Sequence, residues 1–374
     1  MLFIALLTLV LPTWATAEAG VGSDVIRLGT TSPFTGGLKE WGDEYKRGAD
    51  AFVRNLNAQG GINGRKLEIV YLDDGYDPKR TVENVKVLVE QKDVFALINL
   101  CGTPNTEAVL PYLESRKIPT IGTASGSHTV RAPLAPSRYL FHTRAGYAEE
   151  TEAIVEYLAT VGISRIAVVH QNNGLGLAGL SLTQAALKRR NLAALAVAAV
   201  ETNSADVETA VQTILKTAPA VVVMITAGKV SVDFIRHYRR AGGNTQFFGI
   251  NVIGTKLLVE QLGPDARGIM VSQVVPYPRA GTKRIVREFQ SLMEKTGTGD
   301  YSFVTLEGYI NAKLAAMALK KAGLDPTREK FVNALESEPE FDLGDFVLKY
   351  RPGNHNGSKT VELTIIGADQ RFVR

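Results

Sequence analysis

Short apolar runs alternate with segments of helical periodicity along most of this 374-residue chain, and this alternation limits the possible folds more than any other feature. In the first part of the chain, four runs predict strands at 25–29, 67–72, 94–100 and 118–122. Between the first two runs, Tyr45, Ala49 and Phe52 lie at helical spacing inside a helix that we predict over 43–57. The order strand, helix, strand, helix predicts a parallel sheet with helices on both faces.

The same alternation starts again after an interruption near 141–147. A helix at 149–160 and a strand at 165–170 begin a second set of units that continues to a strand at 247–249. These are too many units for one compact sheet, so we predict an α/β fold with two doubly wound parallel-sheet lobes. Ligands of such sheets bind at the carboxyl ends of the strands, in a crevice between the structural units.

Composition excludes several other classes of protein. Hydrophobic residues make up 45% of the chain and charged residues 21%, as in an ordinary globular protein. The net charge of +4 is small for this length and is not concentrated in one segment. Because nucleic-acid binding needs a concentrated basic surface, we expect no nucleic-acid partner.

Residues 1–17, MLFIALLTLVLPTWATA, are typical of a secretory signal peptide. An apolar run ends at Pro12 and is followed by Ala15-Thr16-Ala17, a small-x-small cleavage pattern. The run at 2–11 is shorter than the roughly 20 residues of a membrane span, so we predict cleavage before Glu18 and no membrane insertion of the mature chain. No Lys or Arg precedes the run, which leaves a buried N-terminal strand as the alternative.

Metal and catalytic sites have little support in the sequence. Cys101 is the single cysteine, so it can form neither an intramolecular disulfide nor a cysteine-based metal site, and its apolar neighbours predict a packed side chain. The five histidines show no zinc-binding spacing. Asp73, Asp74 and Asp77 form an acidic turn that either binds a cation or, as we prefer, caps the following helix.

A glycine pattern offers the rival hypothesis of an enzyme. Gly174-x-Gly176-x-x-Gly179 follows a predicted strand, and Glu201 lies 22 residues beyond it, as in dinucleotide-binding proteins. An exported or cytosolic α/β enzyme would use these glycines for a nucleotide cofactor. However, three polar residues at 171–173 separate the strand from Gly174, and glycines also permit close approach at the start of a helix. Residues 122–126, GTASG, place the serine one position too late for a nucleophile elbow.

Several motifs in a fixed order cover nearly the whole chain after residue 24. They are IRLG at 26–29, SPFTGG at 32–37, NAQGGINGRKLEIVYLDDGYDP at 57–78, NLCGTPNTEAV at 99–109, IPTIGTASGS at 118–127, YLFHTRAGYAEET at 139–151, RIAVVHQNNGLGLAGL at 165–180 and SQVVPYP at 272–278. With these motifs the chain resembles the branched-chain amino-acid type of ABC-transporter substrate-binding protein, which has the type I periplasmic binding fold.

This resemblance implies two lobes joined by a hinge of three crossovers. The N-terminal lobe would be 24–143 plus 275–346, and the C-terminal lobe 144–274 plus 347–374. It further implies a periplasmic monomer that is not an enzyme, needs no cofactor or metal, and delivers a small-molecule ligand to the membrane permease of an ABC importer. A sensor subunit that reports to a membrane receptor is an alternative with the same fold.

The resemblance also implies the ligand-binding residues. Two loops of the N-terminal lobe would hold a carboxylate, and the remaining positions would contact the rest of the ligand from both sides of the cleft. These residues are Gly102, Thr103, Ala124, Ser125 and Gly126 for the carboxylate, and Trp41, Asn173, Leu175, Ala227 and Asn251 for the rest.

Three of these positions depart from the amino-acid-binding pattern. Asn251 stands where relatives have an acid for the ligand ammonium, and Leu175 and Ala227 stand where they have aromatic residues. A buried ammonium without a partner is costly, so we expect an aromatic or aliphatic acid, or a neutral amide, rather than an amino acid. An amino acid whose ammonium bonds to Asn251 remains the alternative. Tyr76 stands where the family has the disulfide partner of Cys101.

Overall fold

The computed structural model describes residues 18–131, 137–202, 206–297, 299, 301–369 and 371–373. The signal peptide predicted at 1–17 lies outside these residues. None of the helices within the described ranges combines the length and the apolar character needed to cross a membrane.

The described strands and helices alternate much as the sequence predicts. The strands are β1 (Val25–Ser32), β2 (Lys66–Asp73), β3 (Ala96–Leu100), β4 (Thr120–Thr123), β5 (Leu140–Phe141), β6 (Ile166–Gln171), β7 (Val197–Val200), β8 (Val221–Ile225), β9 (Gln246–Gly249), β10 (Met270–Gln273), β11 (Phe341–Asp342), β12 (Val347–Leu348), β13 (Glu362–Ile366) and β14 (Phe372–Val373). The helices are α1 (Lys39–Ala58), α2 (Pro78–Glu90), α3 (Thr103–Arg116), α4 (Tyr147–Thr160), α5 (Gly174–Arg189), α6 (Glu208–Leu215), α7 (Lys229–Arg240), α8 (Thr255–Leu262), α9 (Arg284–Lys295), α10 (Phe303–Ala322) and α11 (Arg328–Ser337).

Two main sheets define two lobes. The first has the order β2-β1-β3-β4-β5, and its strands are parallel, with Leu28 of β1 paired to Ile69 on one side and Ala96 on the other. The second has the order β14-β13-β10-β9-β8-β6-β7. Its strands from β6 to β10 are parallel, whereas β13 and β14 form an antiparallel edge that the alternation did not predict.

Buried apolar side chains fill the space between the first sheet and helices α1, α9, α10 and α11. Leu348 and Tyr350 belong to this core together with Phe141 and Phe289, while β13 belongs to the second sheet. The chain therefore passes to the second sheet after Tyr350, four residues beyond the predicted end of the N-terminal lobe at 346. The other two crossovers follow β5 and β10.

Helices α1 and α10 pack with their backbones in near contact because glycines face each other across the interface. A Cβ atom on Gly48 would lie 1.8 Å from the carbonyl oxygen of Thr305, and one on Gly308 would lie 2.4 Å from that of Tyr45. Almost every residue of α10 up to Leu319 is buried, so the helix cannot shift without disturbing the core.

We therefore expect Gly48→Ala to lower the free energy of unfolding by about 3 kcal/mol, because the added methyl group overlaps backbone atoms. Chemical denaturation followed by circular dichroism measures this change. Gly281→Ala is the control, since its new Cβ would have no neighbour closer than 3.6 Å, and it should leave stability within about 0.5 kcal/mol of the wild type. Equal stability of the two variants would show that α1 and α10 are not packed in this way.

Candidate ligand-binding site

A small cavity lies between the two lobes, and we call it the inner cavity. It contains about 200 Å³ of empty space, part of which is open to solvent, and is lined by Leu38, Trp41, Tyr76, Cys101, Gly102, Ala124, Leu175, Ala227 and Val252. Five of the predicted ligand residues are among these: Trp41, Gly102, Ala124, Leu175 and Ala227. Burial raises the pKa of the Cys101 thiol well above its ordinary value, so this side chain is packed rather than reactive.

The fold brings these residues together because several follow directly after parallel strands. Cys101 and Gly102 come after β3, Ala124 comes after β4, and Ala227 comes two residues after β8. The carboxyl ends of the strands of both sheets thus face the same cleft, which is the usual ligand position in open α/β sheets. Trp41 reaches the cavity from the first turn of α1.

Three buried hydroxyl groups meet at the start of α3. Thr103 Oγ1 lies 2.8 Å from Ser125 Oγ and 3.3 Å from the hydroxyl oxygen of Tyr147. Gly102 precedes the helix with a φ of 99°, a left-handed conformation that glycine adopts without strain. The positive end of the helix dipole and three hydroxyls next to the inner cavity suit a negatively charged acceptor.

Tyr147 is a further residue near the site that the motifs did not indicate, and it packs against the predicted site residue Gly126. The backbone N–H of Tyr147 donates to the carbonyl oxygen of Gly126 at 2.7 Å. A Cβ atom on Gly126 would lie 2.4 Å from the Tyr147 ring. Gly126 therefore makes room for the tyrosine and does not line the inner cavity.

Asn251 is not among the residues that line the inner cavity, and its side-chain oxygen accepts a hydrogen bond from Arg144. Arg144 is fully buried and donates to Glu307 at 2.9 and 2.7 Å, and it also donates to the amide oxygen of Asn251. Its guanidinium lies 5.6 Å from the centre of the Trp41 ring. This arginine, placed on the first crossover, joins α10 of one lobe to the segment after β9 of the other.

A second buried acid lies beside this group, and one of its two carboxylate oxygens is engaged. Glu150 of α4 accepts hydrogen bonds from the backbone N–H of Asn251 at 2.7 Å and from the hydroxyl of Ser272 at 2.6 Å. Burial raises its pKa to about 7, although the nearby Arg144 guanidinium acts in the opposite direction.

No acid is among the described residues that line the inner cavity. Two buried groups of the lining, the indole Nε1 of Trp41 and the hydroxyl of Tyr76, have no hydrogen-bond partner. A buried donor without a partner lowers the stability of the folded protein unless a ligand or a water molecule accepts its hydrogen bond. The inner cavity thus offers apolar walls and hydrogen-bond donors, but no carboxylate for a cation.

The glycine pattern serves packing between helix and strands. A Cβ atom on Gly176 would lie 1.8 Å from the carbonyl oxygen of Gln171, and one on Gly179 would lie 2.3 Å from Ile225. Asn173 caps α5, since its side chain accepts a hydrogen bond from the N–H of Gly176 at 3.1 Å, and it lines the outer mouth of the cleft rather than the inner cavity. At the start of α5, the N–H of Gly176 is therefore bound by a side chain of the protein itself.

The acidic turn after β2 is also explained by internal hydrogen bonds. Asp77 caps α2 by accepting from the N–H groups of Lys79 and Arg80, as we preferred from the sequence. Asp74 accepts from the hydroxyls of Thr31 and Thr81. Throughout the described ranges, no three histidine, cysteine, aspartate or glutamate side chains are close enough together to hold a metal ion.

Comparison with known proteins agrees with this geometry. The sequence profile of the periplasmic binding protein family matches residues 25–370, so the chain belongs to that family. The leucine-specific-binding protein of Salmonella typhimurium is 23% identical over 91% of this chain and 94% of its own length.

Two solved structures are similar over nearly their full length. A substrate-binding periplasmic protein from Ralstonia solanacearum has a TM-score of 0.86 at 29% identity, covering 93% of this chain and 99% of the other. A possible leucine/isoleucine/valine-binding protein from Rhodopirellula baltica has a TM-score of 0.89 at 28% identity, with coverage of 96% and 98%. The type I periplasmic binding fold is confirmed, the chain is a solute-binding protein and not an enzyme, and the nucleotide-cofactor alternative is not supported.

The raised pKa of Glu150 leads to a pH-dependent stability that one variant isolates. Between pH 4.5 and about 7 the unfolded chain loses this proton while the folded chain keeps it, so folding becomes less favourable as pH rises, by up to about 3 kcal/mol. Glu150→Gln has no carboxyl group to titrate. The free energy of unfolding of this variant, relative to the wild type, should therefore increase from pH 4.5 to about 7 and stay constant at higher pH. Urea denaturation at pH 4.5, 6 and 7.5 measures the difference, and a difference that does not change with pH would contradict the assignment.

Proposed function

We propose that this chain captures a small apolar carboxylate, such as an aromatic or branched aliphatic acid, in the inner cavity. The observation that carries the proposal is the set of three buried hydroxyls at the start of α3, next to an apolar cavity whose described lining contains no acid. A carboxylate accepts hydrogen bonds from hydroxyl donors, and it gains from the positive end of the helix dipole.

Apolar side chains from both lobes would contact the apolar part of the ligand. Leu38, Trp41 and Ala124 belong to the first lobe, and Leu175 and Val252 belong to the second. An aromatic ring or a branched chain that fills the inner cavity buries apolar surface on both sides, at a gain of roughly 25 cal/mol per Å². The ligand therefore contributes to holding the two lobes together.

An α-amino group meets no acid among the described residues that line the inner cavity. Outside the lining, the carboxylate of Glu307 and the amide oxygen of Asn251 bind Arg144, and one oxygen of Glu150 accepts hydrogen bonds from Ser272 and the backbone of Asn251. An ammonium placed in the inner cavity would be desolvated without an acid to compensate it. The proposed ligand thus differs from the leucine that names the Salmonella relative, with a neutral amide as the next choice.

Capture and delivery follow from closure of the lobes around the ligand. Contacts with both lobes favour the closed state over the open one, and a membrane permease of an ABC importer would accept the closed, loaded protein. We further propose that the chain acts as a periplasmic monomer after cleavage of residues 1–17. The N-terminal lobe comprises 24–143 plus 275–350, and the C-terminal lobe comprises 144–274 plus the chain from β13 onward.

A thermal-shift titration distinguishes acids from amino acids. Benzoate and isovalerate should raise the melting temperature, because a ligand at a hundred times its Kd stabilises the folded state by about 2.7 kcal/mol. Leucine and phenylalanine at the same concentrations should produce no shift. Stabilisation by leucine alone would show that an ammonium is accommodated and would overturn the proposed ligand class.

The hydroxyl of Thr103 should be needed for binding of the acid. Thr103→Val keeps the shape of the side chain but removes one hydrogen bond to the carboxylate, so we expect benzoate affinity to fall about tenfold in isothermal titration calorimetry. Thr213→Val is the matched control, because its hydroxyl bonds only to the carbonyl oxygen of Thr209 on the exposed face of α6. Unchanged affinity in Thr103→Val would place the carboxylate elsewhere.

A further inference from the structure

A second space shares a lining residue with the inner cavity, and we call it the outer groove. It contains about 800 Å³ of empty space, which includes open solvent, and is lined by Gly75, Tyr76, Asp77, Pro78, Arg80, Pro104, Asn173 and Thr202. Among the described residues, Tyr76 alone lines both the outer groove and the inner cavity. Tyr76 therefore lies where the two spaces meet.

The backbone holds Tyr76 in an unusual conformation. Its φ is 65°, in the left-handed region that bulky side chains seldom adopt. The N–H of Tyr76 donates to Asp74 at 2.9 Å, and Asp74 is itself fixed by hydroxyl donors from Thr31 at 2.9 Å and Thr81 at 3.1 Å. Strain of this kind persists where the surroundings determine the conformation, and it is often found at ligand sites.

The ring of Tyr76 covers the start of α3. A Cβ atom on Gly102 would lie 2.3 Å from Tyr76 Cε2 and 3.0 Å from its hydroxyl oxygen. This oxygen is buried and has no hydrogen-bond partner, whereas the three hydroxyls around Thr103 bond to one another. An unpartnered donor so near the proposed carboxylate position is placed to bind the ligand.

We propose that Tyr76 determines the ligand specificity of this cleft. Its ring separates the inner cavity from the outer groove and so limits the size of the ligand, while its hydroxyl donates a hydrogen bond to the ligand carboxylate. The limit on ligand size follows from the position of Tyr76 between the inner cavity and the outer groove. The hydrogen bond from its hydroxyl to a carboxylate rests on the proposed function.

Three variants separate these roles. Tyr76→Gly removes the ring and suits the left-handed backbone, with Tyr76→Asn as a second substitution that tolerates the same φ. Tyr76→Phe removes only the hydroxyl. Lys117→Gly is the matched control, because Lys117 is exposed, has a φ of 54° and lines neither space.

Binding is measured by calorimetry with two pairs of ligands that differ in size within each pair. Benzoate and biphenyl-4-carboxylate form one pair, and leucine and tryptophan form the other, so that the size limit is tested whichever head group binds. The wild type and Lys117→Gly should prefer the smaller ligand. In Tyr76→Gly and Tyr76→Asn this preference should fall at least tenfold, and in Tyr76→Phe it should persist while benzoate affinity falls about fivefold to tenfold.

The possible results distinguish this inference from the proposed function. If the wild type binds leucine and not benzoate, the proposed ligand class is wrong, and the leucine–tryptophan preference still tests the ring. If the preference for the smaller ligand is unchanged when the ring is removed, Tyr76 does not limit ligand size. If Tyr76→Phe binds benzoate as the wild type does, the hydroxyl does not bind the carboxylate.

Discussion

The buried guanidinium of Arg144 is the constraint on which the arrangement of the cleft depends. A charge that is fully removed from water must be paired, and Arg144 is paired with Glu307 of one lobe and with Asn251 of the other. Loss of one partner of such a group typically costs about 3–5 kcal/mol. Because this residue lies on the first crossover, the same interaction links the two lobes next to a hinge segment.

The positions of the buried acids explain the character of the inner cavity. Glu307 binds Arg144 and Glu150 accepts from Ser272, and neither acid is in the described lining, which consists of apolar groups with the hydrogen-bond donors of Trp41 and Tyr76. Polar groups that fix a ligand are few in such cavities, so the position of each one has a large effect on specificity. The proposed ligand, which has one carboxylate and an otherwise apolar structure, would match these apolar walls and hydrogen-bond donors.

The sequence predicted the fold and the residues that follow strands, because alternation and strand ends are local properties. Trp41, Gly102 and Ala124, which the sequence predicts as ligand residues, line the inner cavity, and their role in binding stays a prediction. The roles of Asn251 and Gly126 were not predictable, since they depend on contacts with Arg144 and Tyr147, which are distant or lie on other elements. Periodicity also could not show that β13 and β14 add antiparallel edges, because the direction of a final strand depends on tertiary packing.

A crystal structure of the protein grown with benzoate would show how the cleft holds a carboxylate. We predict that the carboxylate oxygens lie about 3 Å from the hydroxyls of Thr103 and Ser125, with the ring between Trp41 and Val252. Electron density for the ligand outside the inner cavity, or a carboxylate turned away from the start of α3, would contradict the account.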